Sequence, residues 1–495
     1  MSEKCVLSVE TFENTARLSL FPCISSDPDN SRSGASLRRM QDLSGQQFDS
    51  VTLRKRRSLF YAIILAVGLI LTLVMAFQAH MRQQKKERTH STAQVNDFDR
   101  WTVLVPQFLN QHRNYTSDSF PNPPVTLLAF APLMKLSPPD AQFAWVCCKF
   151  LFCLIIFASL LNLIRQSGVL LSEYAILLIL WVWLWPVLGD MQEGQTNLLM
   201  LAPLAAGLWT VQGRRLWQTQ LGGVLIALAV CIKVTPIIFL IYFAWKREWR
   251  VTTGILLGLV LWLLIVPGLA FGWNQNLLWL GQWVHIMILP YVRGGHVQYF
   301  VGQSVPSFLS RLIRHVPAFH YHAPGSPAWR HQYINLLSLP ANVSDWLIRI
   351  FLMIIGICGL GWAAKKLPML KSRRYALEIG AVATFELWAS PRTWVPHFVT
   401  LAMALFAVAM VMSDPLMTAK LRRRAAVTLA MAGFLMFMTT DVGKIFGHNG
   451  HRWLLTFGVS LWGAVLLMWT IFTAAGRLPE ISPAPGTDVK GMNQP

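Results

Sequence analysis

Two carboxylates, Asp97 and Asp99, stand in the sequence VNDFDRW, shortly after the first long apolar run of the chain. Acidic residues are scarce, at 23 against 43 basic residues, so each acid near an apolar segment is informative. A carboxylate at the boundary between water and lipid can act as a general base toward a hydroxyl group. Two solvated acids in a polar loop are the alternative, and these residues alone leave both interpretations open.

A second polar cluster, GDMQEGQTN, separates two apolar runs and contains Gln195 and Asn197. Glycines let the backbone approach a ligand closely, and amide side chains both donate and accept hydrogen bonds. The cluster therefore suits a polar ligand. A helix cap at Thr196 or Asn197 explains the same residues equally well.

Three side chains at the ends of apolar runs could bind phosphate or position a carboxylate: Lys233 in CIKVTP, and Arg392 and His397 in SPRTWVPH. A lysine between apolar residues is costly unless it pairs or reaches the membrane surface, and a phosphate would be a suitable partner. Arginine binds phosphate through two parallel hydrogen bonds. The alternatives are a snorkelling lysine and a hydrogen-bonded histidine at the interface.

A long polar stretch adds Arg293, Gln303 and Ser304 to the candidates. Within it, Ser304 followed by Pro306 predicts the start of a short helix, with Ser304 as its cap. Taken together, the candidate clusters supply acids, cations and amides. This combination suits a sugar joined to a lipid phosphate.

The composition indicates which class of protein must position these residues. Of 495 residues, 54% are hydrophobic and 13% are charged, and the chain contains 21 Trp. Soluble domains carry about 25% charged residues, so the composition excludes a disordered chain, a disulfide scaffold and an ordinary soluble enzyme. The net charge of +20 comes mostly from short basic clusters between apolar runs, which argues against nucleic-acid binding. Neither zinc-like Cys/His spacing nor a dense acidic cluster is evident, so we expect no metal and no cofactor.

Apolar runs predict an all-α polytopic membrane protein with about 12 transmembrane helices. They lie near 59–79, 141–164, 170–188, 197–211, 218–232, 235–245, 251–271, 343–363, 375–390, 396–413, 425–438 and 454–475. Basic residues in four connections, such as Arg422-Arg423-Arg424, predict that both termini are cytoplasmic. The candidate residues then all lie outside, on loops with short amphipathic helices such as WTVLVPQFLNQH.

Three segments follow from this pattern: a polar, disordered cytoplasmic tail over residues 1–57, a transmembrane domain over 58–476, and a cytoplasmic tail over 477–495. No internal repeat is evident, which argues against transporters built from inverted repeats.

The order of the motifs resembles the family 87 membrane glycosyltransferases, the polyprenol-phosphate-mannose-dependent group with the GT-C architecture. The matching stretches are Asp97-Phe98, NPPVTLLAFAPL, GQTNLLMLAPL, GGVLIALAVCIKVTPIIFLIYFAWKREW, GQSVPSFLSRLI and LWASPRTWVPHFVTL. The resemblance covers roughly residues 59–475. Asn122 stands where the family commonly has tyrosine.

This resemblance implies the transfer of a sugar, mannose in the best-known case, from a polyprenyl phosphate to an acceptor hydroxyl, with inversion. It implies Asp97 as general base, with Asp99 as its rival, and His397 in the catalytic set. Donor binding is expected from Lys233, Arg392, Arg293, Gln195, Asn197, Gln303 and Ser304.

The resemblance also implies partners for the protein. They are membrane lipid, the lipid-linked donor as co-substrate, and a glycolipid or glycan acceptor. The resemblance further implies a multi-pass protein of the cell membrane, the bacterial inner membrane, with an extracytoplasmic active site.

Two other functions remain as alternatives to an enzyme. A transporter or lipid flippase would carry its polar groups deep within the spans, whereas the candidate residues here collect at one face. A membrane scaffold with a vestigial site would tolerate replacement of both Asp97 and Asp99.

Overall fold

The structure is a computed structural model that describes residues 33–478 apart from residues 92, 117–120, 293, 294, 296, 323–328 and 365–369. It divides into two compact units, Met1–Leu69 and Ile70–Pro495. Within the described residues the first unit contains one helical segment, residues 33–69. The second unit contains all the other elements named below. Residues 1–32 and 479–495 of the two predicted tails lie outside the described residues.

Helices account for nearly all the regular structure in the first half of the chain. They are α1 (Ser33–Arg88), α2 (Asp97–Gln111), α3 (Val125–Phe130), α4 (Pro138–Gln166), α5 (Glu173–Glu193), α6 (Asn197–Thr210), α7 (Leu216–Ile232), α8 (Ile238–Trp245), α9 (Trp249–Val260) and α10 (Val266–Phe271). Short 3-10 turns cover Leu133–Lys135 and Thr235–Ile237, and a π-helical turn, Leu261–Ile265, joins α9 to α10.

The second half is helical as well and adds one small sheet. Its helices are α11 (Trp273–Trp283), α12 (Leu289–Val292), α13 (Val305–Ile313), α14 (Ala341–Trp362), α15 (Arg373–Ala389), α16 (Ala402–Ser413), α17 (Ala419–Met438), α18 (Gly447–Thr456) and α19 (Val459–Ala475). A π-helical turn covers Val284–Ile288, and 3-10 turns cover Val395–Leu401 and Asp441–Phe446. Strands β1 (Phe319–His322) and β2 (Trp329–Gln332) pair antiparallel with Phe319 opposite Gln332.

The prediction of an all-α polytopic membrane protein is confirmed. Six stretches of the described residues are long and apolar enough to cross a membrane: Lys55–Arg88, Pro138–Gln166, Glu173–Glu193, Trp249–Phe271, Ala341–Trp362 and Val395–Ser413. There are seven candidate spans if Lys444–Thr456 and Val459–Ala475, two helical segments that meet at a bend, form one span. Each predicted apolar run coincides with helix, but several of these helices are short, and the count of about 12 spans stays a prediction.

Helix α1 begins at Ser33, well before the predicted first span and within the predicted polar tail. The physical reason is local. Residues 33–57 contain no proline and are rich in Leu, Arg and Gln, which favour helix.

Close packing of small residues brings α6, α7 and α9 together. At Gly223 of α7 an added Cβ would lie 2.6 Å from the carbonyl oxygen of Val251, and at Gly254 of α9 it would lie 2.5 Å from the carbonyl oxygen of Gln220. Glycine at such contacts is typical of helix pairs in membranes, because it lets two backbones touch.

An aromatic core holds α2 against its neighbours. Phe98, Trp101 and Phe108 of α2 are buried among residues of α3, α4 and α11, which include Phe130, Trp145 and Trp279. The Phe98 ring stacks on the Trp145 ring at 5.4 Å between centroids. These contacts fix the position of α2, which begins at Asp97.

Candidate active site

The first turn of α2 is tied to two other helices by one buried side chain, Asn96. Its Oδ1 caps the helix by accepting from the backbone N–H of Asp99 at 3.0 Å. Its amide also exchanges hydrogen bonds with the Gln142 side chain of α4 at 3.1 and 3.2 Å. A fourth bond, at 3.3 Å, reaches the carbonyl of Gln192 in α5. Asn96 therefore locates the start of α2 relative to α4 and α5.

Gly194 allows α2 to approach the end of α5. It has φ +67°, and an added Cβ would lie 2.8 Å from the Cβ of Phe98. Its carbonyl accepts from Nε1 of Trp145 at 3.1 Å. Only glycine fits this left-handed position and this close contact, and Asp97 consequently lies beside the turn that carries Gln195.

The carboxylate of Asp97 is half-buried. Its Oδ2 accepts from the side-chain amide of Gln195, and its Oδ1 accepts from Gln94 at 3.4 Å. A carboxylate held by an amide and still partly open to solvent is suited to accept a proton from a bound hydroxyl.

Asp99, the rival base, has a different environment. Its side chain is 3% exposed. It forms an ion pair with Lys86 at 2.6 Å and accepts from the Gln83 amide at 3.0 Å and from the Val95 backbone N–H at 3.1 Å. These bonds join α1 to the start of α2 and cover the Asp99 carboxylate.

Lys233 and Asn197 meet at a small cleft. Nζ of Lys233 donates to Oδ1 of Asn197 at 2.5 Å. The lysine follows the last residue of α7, Ile232, whose carbonyl accepts from the Asn122 side chain at 2.6 Å. The cleft is lined also by Met200, Thr235, Glu386, Leu387, Ser390, Thr393, His397 and Thr400.

Glu386 and His397 bring further titratable groups to this cleft. Glu386 is buried, and its Oε1 accepts from the Thr235 hydroxyl at 2.6 Å. Its Oε2 has no hydrogen-bond partner among the described residues. Nδ1 of His397 accepts from the backbone N–H of Trp394 at 3.3 Å, so the neutral ring would carry its proton on Nε2.

A buried ion pair lies behind the cleft. Nζ of Lys149 in α4 is 2.7 Å from Oδ1 of Asp190 in α5, and both side chains are fully buried. The carbonyl of Asp190 also accepts from Lys149 and from the backbone N–H of Gln195 at 3.2 Å. The pair thus anchors the α5–α6 turn. Neither Lys149 nor Glu386 was predicted from the sequence, although a single charge inside an apolar run is a usable signal for both.

The remaining predicted site residues lie elsewhere. The Gln303 amide donates to the carbonyls of Phe300 and Leu455 at 2.8 and 2.7 Å. Ser304 caps α13, as predicted. The backbone N–H of Gln303 donates to the Thr393 carbonyl at 2.6 Å, which connects this loop to the cleft.

The two predicted arginines do not line the cleft within the described residues. The Arg392 side chain is exposed and is not part of the cleft lining, and Arg293 lies outside the described residues.

A buried arginine holds the loop before α13. Nη1 of Arg311 donates to the carbonyls of Tyr299 and Gly302 at 3.0 and 2.9 Å. Burial lowers the pKa of this guanidinium to about 10, which leaves it charged at neutral pH.

The arrangement joins an accessible carboxylate, a lysine, two amides and a histidine at the ends of five helical elements. Such a set can accept a proton, hold an anion and bind hydroxyl groups. Among the described residues no group of three or more His, Cys, Asp or Glu side chains could hold a metal ion.

The comparison with protein families identifies the chain. Residues 120–391, more than half of the 495, match the model of glycosyltransferase family 87. The chain belongs to this family. The matched range of this family 87 member contains Gln195, Asn197 and Lys233, whereas Asp97 and His397 lie outside it. The resemblance derived from the motifs is confirmed.

A relative of known activity is distant. The family 87 chain is 23% identical over 269 residues to the polyprenol-phosphate-mannose-dependent alpha-(1-2)-phosphatidylinositol mannoside mannosyltransferase of Mycobacterium tuberculosis (strain ATCC 25618 / H37Rv). The match covers 54% of this chain and 52% of the relative, so it spans about half the length of each protein. No solved structure matches the chain.

Proposed function

We propose that this glycosyltransferase moves a sugar, mannose, from a polyprenyl phosphate to an acceptor hydroxyl, with Asp97 as the general base. The observation that carries the proposal is the half-buried Asp97 carboxylate, which Gln195 holds beside the turn leading to the Lys233–Asn197 cleft. The distant relative's name supports the choice of donor.

The reaction is a single displacement at the anomeric carbon. Asp97 takes the proton of the acceptor hydroxyl while the acceptor oxygen forms a bond to C1 of the sugar. The bond between C1 and the phosphate oxygen breaks, and the polyprenyl phosphate leaves with the electron pair. Attack opposite the leaving group inverts the configuration at C1. The base must come within about 2.6–3.2 Å of the hydroxyl oxygen in the bound complex.

The developing charge on the leaving phosphate requires a cation. Lys233 supplies it from the cleft, and Asn197 directs its ammonium group. Arg392, exposed next to the cleft-lining segment, is the second candidate. Fixed charges in a partly dry site stabilise a developing anion more strongly than charges in water do. Gln195 and His397 would bind the sugar hydroxyls or orient the reacting groups.

An apolar cavity supports a lipid-linked donor. It has a volume of about 430 Å³ and lies between α8, α14, α15 and α19. Phe385 and Trp388 of α15 line it, whereas Glu386 and Leu387 of the same helix line the polar cleft. A polyprenyl chain in this cavity would hold its phosphate near Lys233.

The active site would lie on the extracytoplasmic face, and the acceptor would be a glycolipid or glycan there. The basic connections between the helices support this orientation. Donors carried on lipid suit that face, because the sugar arrives already attached to a membrane-bound carrier.

A donor comparison tests the proposal. Purified protein in detergent would be incubated with a lipid extract as acceptor and with radiolabelled mannose carried on polyprenyl phosphate or on a nucleoside diphosphate. We expect labelled product from the lipid-linked donor alone. Product from the nucleotide sugar alone would contradict the proposal, and so would the absence of both product and donor binding.

A further inference from the structure

A basic groove lies between α17 and α19, at the end of α16 opposite the cleft. Its volume is about 820 Å³, within the range of about 300–1,000 Å³ typical of ligand sites. Lys420, Arg423 and Arg424 line its α17 side, and Leu466 and Trp469 line its α19 side. None of the lining residues is acidic.

The apolar wall of the groove is exposed. Val427 and Trp469 are 54% and 63% exposed, and they belong to helices that pack side by side through a buried hydrogen bond, 2.8 Å long, between Thr428 and Thr470. Large apolar side chains left open on a membrane protein contact acyl chains, and tryptophan is enriched where the chains meet the headgroups.

The cations of the groove lie beside its apolar wall. Arg424 lies over the Trp469 ring at 5.4 Å from its centroid, so the guanidinium is held against the apolar wall. The first turn of α17 contains no acid, and cations near a helix N-terminus are electrostatically unfavourable without an anion. Among the described residues no acidic side chain lines the groove, which therefore combines positive charge with an apolar wall.

We propose that this groove binds one anionic phospholipid, with its phosphate on Lys420, Arg423 and Arg424 and an acyl chain along Val427, Leu466 and Trp469. The charge selects an anionic headgroup, and the apolar wall selects a lipid over a free anion. Anionic lipids are attracted by roughly 1 kcal/mol per basic residue near the surface, so three converging cations give a marked preference.

The test compares ligands and variants by native mass spectrometry of the purified, delipidated full chain. The ligands are phosphatidylglycerol, phosphatidylcholine and inorganic phosphate. We expect the wild type to retain phosphatidylglycerol and to lose the other two. The double variant Arg423→Gln/Arg424→Gln should bind it roughly 25-fold more weakly, about fivefold for each charge. Arg422→Gln is the matched control, because Arg422 is an exposed residue of the same helix outside the groove.

A second variant separates the groove from its charge. Val427→Trp would fill the apolar wall and leave every cation in place, so it too should weaken retention of phosphatidylglycerol. Three results would overturn the proposal. The wild type could retain phosphatidylcholine as well as phosphatidylglycerol, inorganic phosphate could compete equally well, or Arg422→Gln could weaken binding as much as the double variant does. The proposal would also be overturned if the wild type retained no lipid. Residues 479–495 or a second copy of the chain would then be the remaining occupants of the groove, and a second copy would appear as a dimer in the mass spectrum.

Discussion

Asp97 and Asp99 stand two positions apart, yet their carboxylates have different surroundings. Asp99 is covered and paired with Lys86, while Asp97 is half-open and held by Gln195. The spacing in the sequence could not separate them, because the partner of each comes from another element: Lys86 from α1 and Gln195 from the α5–α6 turn. The fold therefore supplies the distinction on which the assignment of the base depends.

The cation of the cleft gives the first prediction. Lys233→Met should lower kcat for transfer by about 10²- to 10³-fold, as expected when one donor to a developing anion is removed. Thermal stability in detergent should change little. The matched control is Lys135→Met, which removes an exposed lysine outside the cleft. An equal loss of kcat in both variants would contradict the role of Lys233.

The buried pair behind the cleft gives the second prediction. Lys149→Met leaves the Asp190 carboxylate buried without its cation, which should lower the free energy of unfolding by about 3–5 kcal/mol. The double variant Lys149→Met/Asp190→Asn should recover part of this loss, because no uncompensated charge remains. Unfolding in a denaturing detergent measures both values. Strictly additive losses would show that the two charges do not interact.

Among the helices, α6, α7 and α9 depend on glycine contacts, and the third prediction tests them. Gly223→Ala places a Cβ 2.6 Å from the Val251 carbonyl oxygen and should cost about 1–3 kcal/mol through overpacking. Gly361→Ala in α14 meets no atom within 4 Å. This control should be neutral or stabilising by up to about 1 kcal/mol, because alanine favours helix over glycine. Equal thermal stability of the two variants would exclude the proposed close contact.

The helices were predictable from the sequence, whereas their lengths and their pairing were not. Long apolar runs gave the positions of the long spans, and Ser304 with Pro306 gave the start of α13. The start of α1 at Ser33 was missed, because apolarity marks the span and not the helix that extends beyond it. The pairing of β1 with β2 was also missed, since its two four-residue strands show no distinctive alternation.

The cleft could be predicted only in part. Lys233, Asn197 and His397 stood out as polar residues at the ends of apolar runs, and they do meet. Their meeting depends on how α6, α7 and α16 pack, which no spacing along one segment reveals. Glu386 and Lys149 were hidden inside apolar runs, where burial and pairing decide whether a charge is tolerated.

For the molecule as a whole, the fourth prediction concerns orientation in the membrane. In a cysteine-free background, Asn114→Cys after α2 should react with a membrane-impermeant maleimide on intact cells. Arg214→Cys, between α6 and α7, should react only after permeabilisation. Both residues are exposed, so accessibility within the protein does not limit either reaction. The reverse pattern would place the candidate site on the cytoplasmic face.

We propose that this family 87 glycosyltransferase uses Asp97, and not Asp99, as its base. The most direct test measures sugar transfer from polyprenyl-phosphate mannose by the wild type, Asp97→Asn and Asp99→Asn, together with the thermal stability of each. Asp97→Asn keeps an oxygen for Gln195 to donate to, so it should fold normally and lose about 10²- to 10⁴-fold in kcat. Asp99→Asn should lose stability and retain most of the transfer by the folded fraction. A wild-type rate of transfer by Asp97→Asn would contradict the assignment of Asp97 as the base. So would a lower kcat of Asp99→Asn at unchanged thermal stability.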